Sequence, residues 1–197
     1  MLAYFKGKSI VSRLIRWRTW GAYSHVAWIV DRDFRYLDLQ GDEQVVAAGT
    51  IYESWHRKSK GAARSGVRKG AAGDLHKPGT VVDLYAIRID DAHYAELLSH
   101  LEQWVENPKA KYDFRGVLSG FMLRKKSAHS ERRQFCSELL MRSLIATRIR
   151  FLINLPPEQT SPADMSHSPV QHFVGSWKTG TPWSRTSLPF KLMESQR

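Results

Sequence analysis

The sequence predicts an α+β domain built on an antiparallel sheet. Its patterns run in the order helix, several strands, then helices, without the regular strand–helix alternation of a parallel βαβ sheet. The strand patterns are short, rich in β-branched and aromatic residues, and bounded by turn residues. The chain has 197 residues, 42% hydrophobic and 11% aromatic, enough for one domain with a substantial core.

Residues 9–20 suit a short amphipathic helix, with Ser9 as N-cap and Ile10, Leu14 and Trp17 at helical spacing as its apolar stripe. Ser24 to Val30 reads as a strand that sets His25, Ala27 and Ile29 on one face and Val26, Trp28 and Val30 on the other. Further short strands are expected around Tyr36–Leu39 and from Gln44 or Thr50 to Trp55. A basic, Gly/Ala/Ser-rich stretch over 56–77 reads as a loop, and Val81 to Ile89 as the next strand. Residues 91–106 carry the clearest helical stripe: Tyr94, Leu97, Leu98, Leu101, Trp104 and Val105, capped by Asp90 or Asp91 and stopped by Pro108. A turn-to-helix stretch is expected over 113–123. A last helix runs from Cys136 to about Ile145, with Leu139, Leu140, Leu144 and Ile145 facing inward. From Leu155 the composition turns polar and Pro-rich, which reads as a docked arm with a partly mobile end.

Lys plus Arg number 30 against 19 Asp plus Glu, a net charge of +11 with His neutral. The charge gathers in three clusters: Arg13, Arg16 and Arg18; Arg57 to Lys69; and Arg124 to Arg133. Such clusters attract polyanions, whether nucleic acid, anionic lipid or acidic cell-wall polymer. No helix-turn-helix, zinc-finger or RNA-binding sheet motif accompanies them. The single cysteine, Cys136, excludes an internal disulfide and a cysteine-rich zinc site. The first twenty residues do not read as a secretory signal, because Lys and Arg recur from Lys6 to Arg18 without an apolar core between them. No stretch approaches the ~18 apolar residues of a membrane span. These features predict a protein made and kept in the cytoplasm.

Cys136 opens the helix of Gln134-Phe135-Cys136-Ser137-Glu138-Leu139-Leu140, where backbone N–H groups and the positive end of the dipole stabilise a thiolate. That is a favourable place for a cysteine nucleophile, although a free cysteine is also a common buried hydrophobe. A cysteine nucleophile needs a base oriented by a third polar group. Of eight histidines, His25 alone sits inside a strong strand signal. The others, His76 included, fall in loops or on polar helix faces, where a solvated role is expected. Glu53, an acid within a short apolar-aromatic strand, is the leading third group. Asp38 and Gln40 stand in reserve on the neighbouring segment.

Gly21-Ala22-Tyr23-Ser24-His25-Val26-Ala27, Ile51-Tyr52-Glu53-Ser54-Trp55 and Phe135-Cys136-Ser137-Glu138-Leu139 occur in an order that resembles a known family. That family is the circularly permuted papain-like cysteine hydrolases of the NlpC-type peptidoglycan peptidase superfamily, closest to its YiiX-like branch and to phage and prophage relatives. Phe5-Lys6-Gly7, Tyr112-Asp113-Phe114 and Ser161-Pro162-Ala163-Asp164-Met165 support the match, which spans about residues 4–166. The resemblance implies a permuted papain-like catalytic domain over 1–166, followed by the C-terminal arm at 167–197. It implies Cys136 as nucleophile, His25 as base and Glu53 as orienting residue, with no metal or organic cofactor. Support for an oxyanion is expected from the Cys136 backbone N–H, with Tyr23, Tyr112 and Ser137 as the further candidates. The expected activity is cleavage of an amide or acyl bond, with stem peptides of peptidoglycan as the family's substrate. Placement in a virion or release by a phage system would suit that substrate. Two other classes stand beside it: a binding or structural protein on the same fold, phage- or DNA-associated, and a thiol acyltransferase.

Overall fold

The computed structural model describes residues 1–38, 40–55, 66–107, 110–112, 133–149, 151 and 155–183, with backbone alone at 111–112 and 133–134. The chain is mixed α+β, with an antiparallel six-stranded sheet at its centre. Its strands are β1 (Leu2–Phe5), β2 (His25–Ile29), β5 (Thr50–Trp55), β6 (Gly66–Ala71), β7 (Val81–Ile87) and β10 (Gln171–Lys178). They lie in the order β10-β7-β1-β2-β5-β6. The strands β3 (Phe34–Leu37) and β4 (Glu43–Val46) form a separate antiparallel ribbon, and β8 (Lys111–Tyr112) and β9 (Arg133–Gln134) a two-residue parallel pair. The helices are α1 (Ile10–Thr19), α2 (Asp91–Glu106), α3 (Cys136–Ala146) and the short α4 (Pro162–Ser166). No helix among the described residues is long and apolar enough to cross a membrane.

All five residues of β2 are buried because both faces of the sheet are covered. On one face Val26, Trp28 and Tyr52 pack with Leu97, Leu98 and Leu101 of α2 and Leu139, Leu140 and Leu144 of α3. On the other, Ala27, Ile29 and Ile51 pack with Phe5, Val82, Leu84 and Trp177. The alternation expected for the strand around His25 therefore holds, each set burying in its own layer. Helix α2 keeps its expected bounds, and the Asp90 carboxylate caps it by accepting from the His93 N–H at 2.8 Å. The segment after 167 is tied in by β10, which adds to the sheet beside β7. The expected helix at 113–123 and the basic cluster 124–133 lie outside the residues whose side chains are described.

Two expectations need correction, and the stripe of α1 gains a direction. The Ile10–Leu14–Trp17 stripe of α1 faces outward, with 77%, 43% and 68% of these residues exposed, and Ile15 is the helix residue that buries. Apolar spacing tells which residues share a face, but not which way the face turns. Ile145, expected to face inward, is likewise exposed. The basic stretch 56–77 is not loop throughout. Its residues 66–71 form β6, where Arg68 turns inward against Glu53 and Lys69 outward to Glu102 at 2.8 Å. A buried arginine is tolerated there because its partner is a buried carboxylate.

Two close approaches fix the α1–β2 corner. Trp20 adopts φ 51° and closes α1 by donating its N–H to the Arg16 and Trp17 carbonyls. Gly21 then passes so near α4 that a Cβ there would lie 2.2 Å from the Ala163 Cβ, so glycine is required by contact.

Candidate active site

The site is assembled on neighbouring strands. His25 is the first residue of β2 and pairs with Phe5 of β1. Glu53 of β5 lies directly opposite Arg68 of β6. Cys136 is the first residue of α3, whose N-cap position is Phe135. The first N–H groups of a helix have no intrahelical acceptor, so Cys136 meets the positive end of α3. Cys136 is a free, buried thiol, 5% exposed.

The structure brings Cys136, His25 and Glu53 together. The Glu53 Oε2 lies 2.5 Å from His25 Nε2. The Cys136 thiol lies close enough to the same imidazole to act on its charge. With Nε2 turned to the carboxylate, Nδ1 is the ring nitrogen left for the thiol. Burial opposes the charged imidazolium, but the Cys136 sulfur, through charge and hydrogen bond, and then Glu53 raise the His25 pKa from 6.5 to about 10. Burial likewise opposes ionisation of Glu53. The charge of His76 and the bond and charge of His25 outweigh it and hold the carboxyl well below 4.5.

Sequence reasoning missed two members of this cluster. Arg68 donates to Glu53 Oε1 from Nε at 2.8 Å and from a terminal nitrogen at 2.5 Å. His76, expected in a solvated loop, has a side chain only 6% exposed, with Nε2 2.9 Å from the same Oε2 that His25 uses. Its ring stacks on Phe5 at 4.2 Å. Trp55 stands edge-on to both imidazoles and stacks with the Arg68 guanidinium at 4.7 Å. Neither gave a local signal: Gly66 to Ala71 carries no apolar alternation that would turn Arg68 inward, and the partner of His76 lies 23 residues away.

The remaining candidates are placed elsewhere or otherwise engaged. The Tyr23 hydroxyl donates to Asp83 Oδ2 at 2.8 Å, so its one proton is directed away from the thiol. Ser137 Oγ donates to the Thr160 carbonyl at 2.6 Å, which anchors the first turn of α3 and leaves the backbone as Ser137's contribution. The Tyr112 side chain lies outside the described residues. Asp38 closes the β3–β4 turn, where it accepts from the N–H groups of Gln40 and Asp42 and from Gln44, so it is not the partner of His25. Gln40 sits in that same turn. A cleft of about 760 Å³ between Arg88, His93, Arg148 and His172 contains none of the cluster residues.

Ligand atoms of His25, Glu53 and His76 lie within 4.8 Å of one another, a spacing that could hold a metal ion. Their bonding argues for a proton network in this arrangement. An ionised carboxylate only accepts, so both imidazoles present Nε2–H to it and neither offers a lone pair there. Arg68 already occupies the other oxygen. No protein-family model matches this sequence, and no curated protein matches it.

The His25 shift makes a testable stability claim. A raised imidazole pKa contributes stability that is fully present below pH 6.5 and lost as the pH climbs through about 10. The loss is read between pH 6.5 and about 10. Over that window the melting temperature should fall more steeply in the wild type than in Cys136→Ala. Parallel curves would show that the two groups are not coupled.

Proposed function

We propose that this protein is a cysteine hydrolase of the permuted papain-like kind, cleaving an amide or acyl bond with Cys136, His25 and Glu53. The observation that carries the reading is the buried His25–Glu53 pair, 2.5 Å apart, with the buried Cys136 at the head of α3 close enough to act on the same ring. The Cys136 sulfur attacks the substrate carbonyl carbon, forming a C–S bond and an oxyanion. The backbone N–H of Cys136 at the head of α3 supports that charge. His25 gives its proton to the leaving nitrogen or oxygen as that bond breaks, leaving a thioester. His25 then takes a proton from water, which attacks the thioester and releases the acid and the sulfur. Glu53 keeps the ring oriented and favours its charged form. The resemblance of the sequence motifs makes peptidoglycan stem peptides the first substrate to try.

Cys136→Ala should abolish turnover of any substrate the wild type cleaves, with the melting transition retained. Iodoacetamide should label native Cys136 rapidly at pH 7, and more slowly in His25→Ala. Labelling only after denaturation would assign Cys136 to the core and end the enzyme reading. A transferase would use the same residues, so product analysis with and without an amine or alcohol acceptor separates the two.

A further inference from the structure

The outward face of α1 has no role in the chemistry above. At about 100° per residue, Ile10, Leu14 and Trp17 fall within an arc of roughly 60°, with Arg13 on one flank and Arg18 on the other. Ile15 lies on the opposite side and is the residue that buries. The arc is exposed at 77% for Ile10, 43% for Leu14 and 68% for Trp17, and Trp20, the C-cap of α1, is 90% exposed. Three large apolar residues on one exposed helix face, with an exposed Trp at its end, are not the scatter of single apolar residues normal on a soluble surface.

Along the chain, the charge flanking this row has one sign. From Met1 to Val30 the chain carries Lys6, Lys8, Arg13, Arg16 and Arg18 and no Asp or Glu. Lys6 is paired with Asp83. Lys8 and Arg13 are exposed at the border of the row. An apolar stripe with Trp, bordered by Lys and Arg, has the chemistry of a helix lying in the headgroup layer of an anionic bilayer. A ten-residue helix would be too short to hold itself there, but α1 is presented ready-formed. Ser9 caps it, Ile15 anchors it, and Gly21 locks its end against Ala163.

We propose that the Ile10–Leu14–Trp17–Trp20 face of α1 docks this protein on anionic phospholipid surfaces. The docking does not depend on the chemistry of Cys136. Trp20 precedes His25 by only five residues, so a docked α1 brings the strand bearing the candidate base close to the lipid surface.

Co-sedimentation with vesicles tests this directly. The full chain should pellet with equimolar phosphatidylcholine–phosphatidylglycerol vesicles, not with pure phosphatidylcholine, and less at high salt. Trp17→Ser/Trp20→Ser should lower the bound fraction about tenfold or more with the melting temperature unchanged. Ile10→Ser and Lys8→Glu/Arg13→Glu, at exposed positions, should weaken it independently. Cys136→Ala should pellet like the wild type, which separates this proposal from the hydrolase reading. Absence of pelleting with the anionic vesicles, or undiminished pelleting by all three variants, overturns it. So does a concentration-dependent dimer that Trp17→Ser/Trp20→Ser abolishes, which would assign the face to a second copy of this chain.

Discussion

Replacing Arg68 with Met is expected to destabilise the fold by about 3–5 kcal/mol, the cost of leaving a buried carboxylate without its partner. Glu53 is 0% exposed, and Arg68 supplies both N–H bonds to its Oε1. Methionine keeps much of the volume and the stem packing, so the loss falls on the charge and the bonds. Arg68→Lys should recover part of it, because an ammonium restores charge without the two-pronged geometry. Glu53→Gln/Arg68→Met should be more stable than Arg68→Met alone, because the uncompensated charge is then gone. Urea unfolding of the four proteins measures this. A loss under about 1 kcal/mol for Arg68→Met would rank the pair with ordinary surface ion pairs. The more exposed pair that Lys69 of the same strand makes with Glu102 of α2 serves as that reference.

Glu53→Gln is expected to cost about 10²–10⁴ in turnover, the range in which a positioned proton donor and acceptor contributes. The amide fills the same space but cannot stabilise an imidazolium, and it can present an N–H to His25 in place of an acceptor. The sign is fixed by the wild-type arrangement, where Glu53 helps to raise His25 to about 10. Removing its charge must move that value down. Imidazole NMR of His25 across the pH range reads the shift, and the rate of iodoacetamide labelling at pH 7 should fall with it. An unchanged His25 titration would show that Glu53 only packs against the ring. A shift without loss of turnover would remove the positioning role.

Much of the site could be read from local pattern, and the rest needed tertiary structure. His25 and Glu53 were found because a polar residue inside an apolar strand needs a partner, and the two partners proved to be each other. Cys136 was found because a helix start is recognisable from the stripe that follows it. Arg68 was obscured by its neighbours, since Arg57 to Lys69 reads as one solvated run until β6 separates an inward arginine from an outward lysine. His76 gave no local sign, because Phe5 and Glu53 reach it from distant strands. The direction of α1 was hidden for a related reason. Its stripe matches an ordinary buried face, and only packing shows that Ile15 and the small residues near Gly21 claim the inner side.

The strand order has a consequence for how this site fails. β6 is one of the two edge strands of the sheet, hydrogen-bonded to β5 alone within it. Edge strands open more readily than the centre of a sheet, at free energies below that of global unfolding. Arg68 therefore rides on an edge of the ladder, while His25 and Glu53 stay on inner strands. Each such opening takes away the guanidinium before the carboxylate has moved. The ionisation of Glu53, and through it the charge state of His25, is coupled to breathing of the sheet edge. Anything that clamps β6 in place tightens the electrostatics of the cluster without touching it.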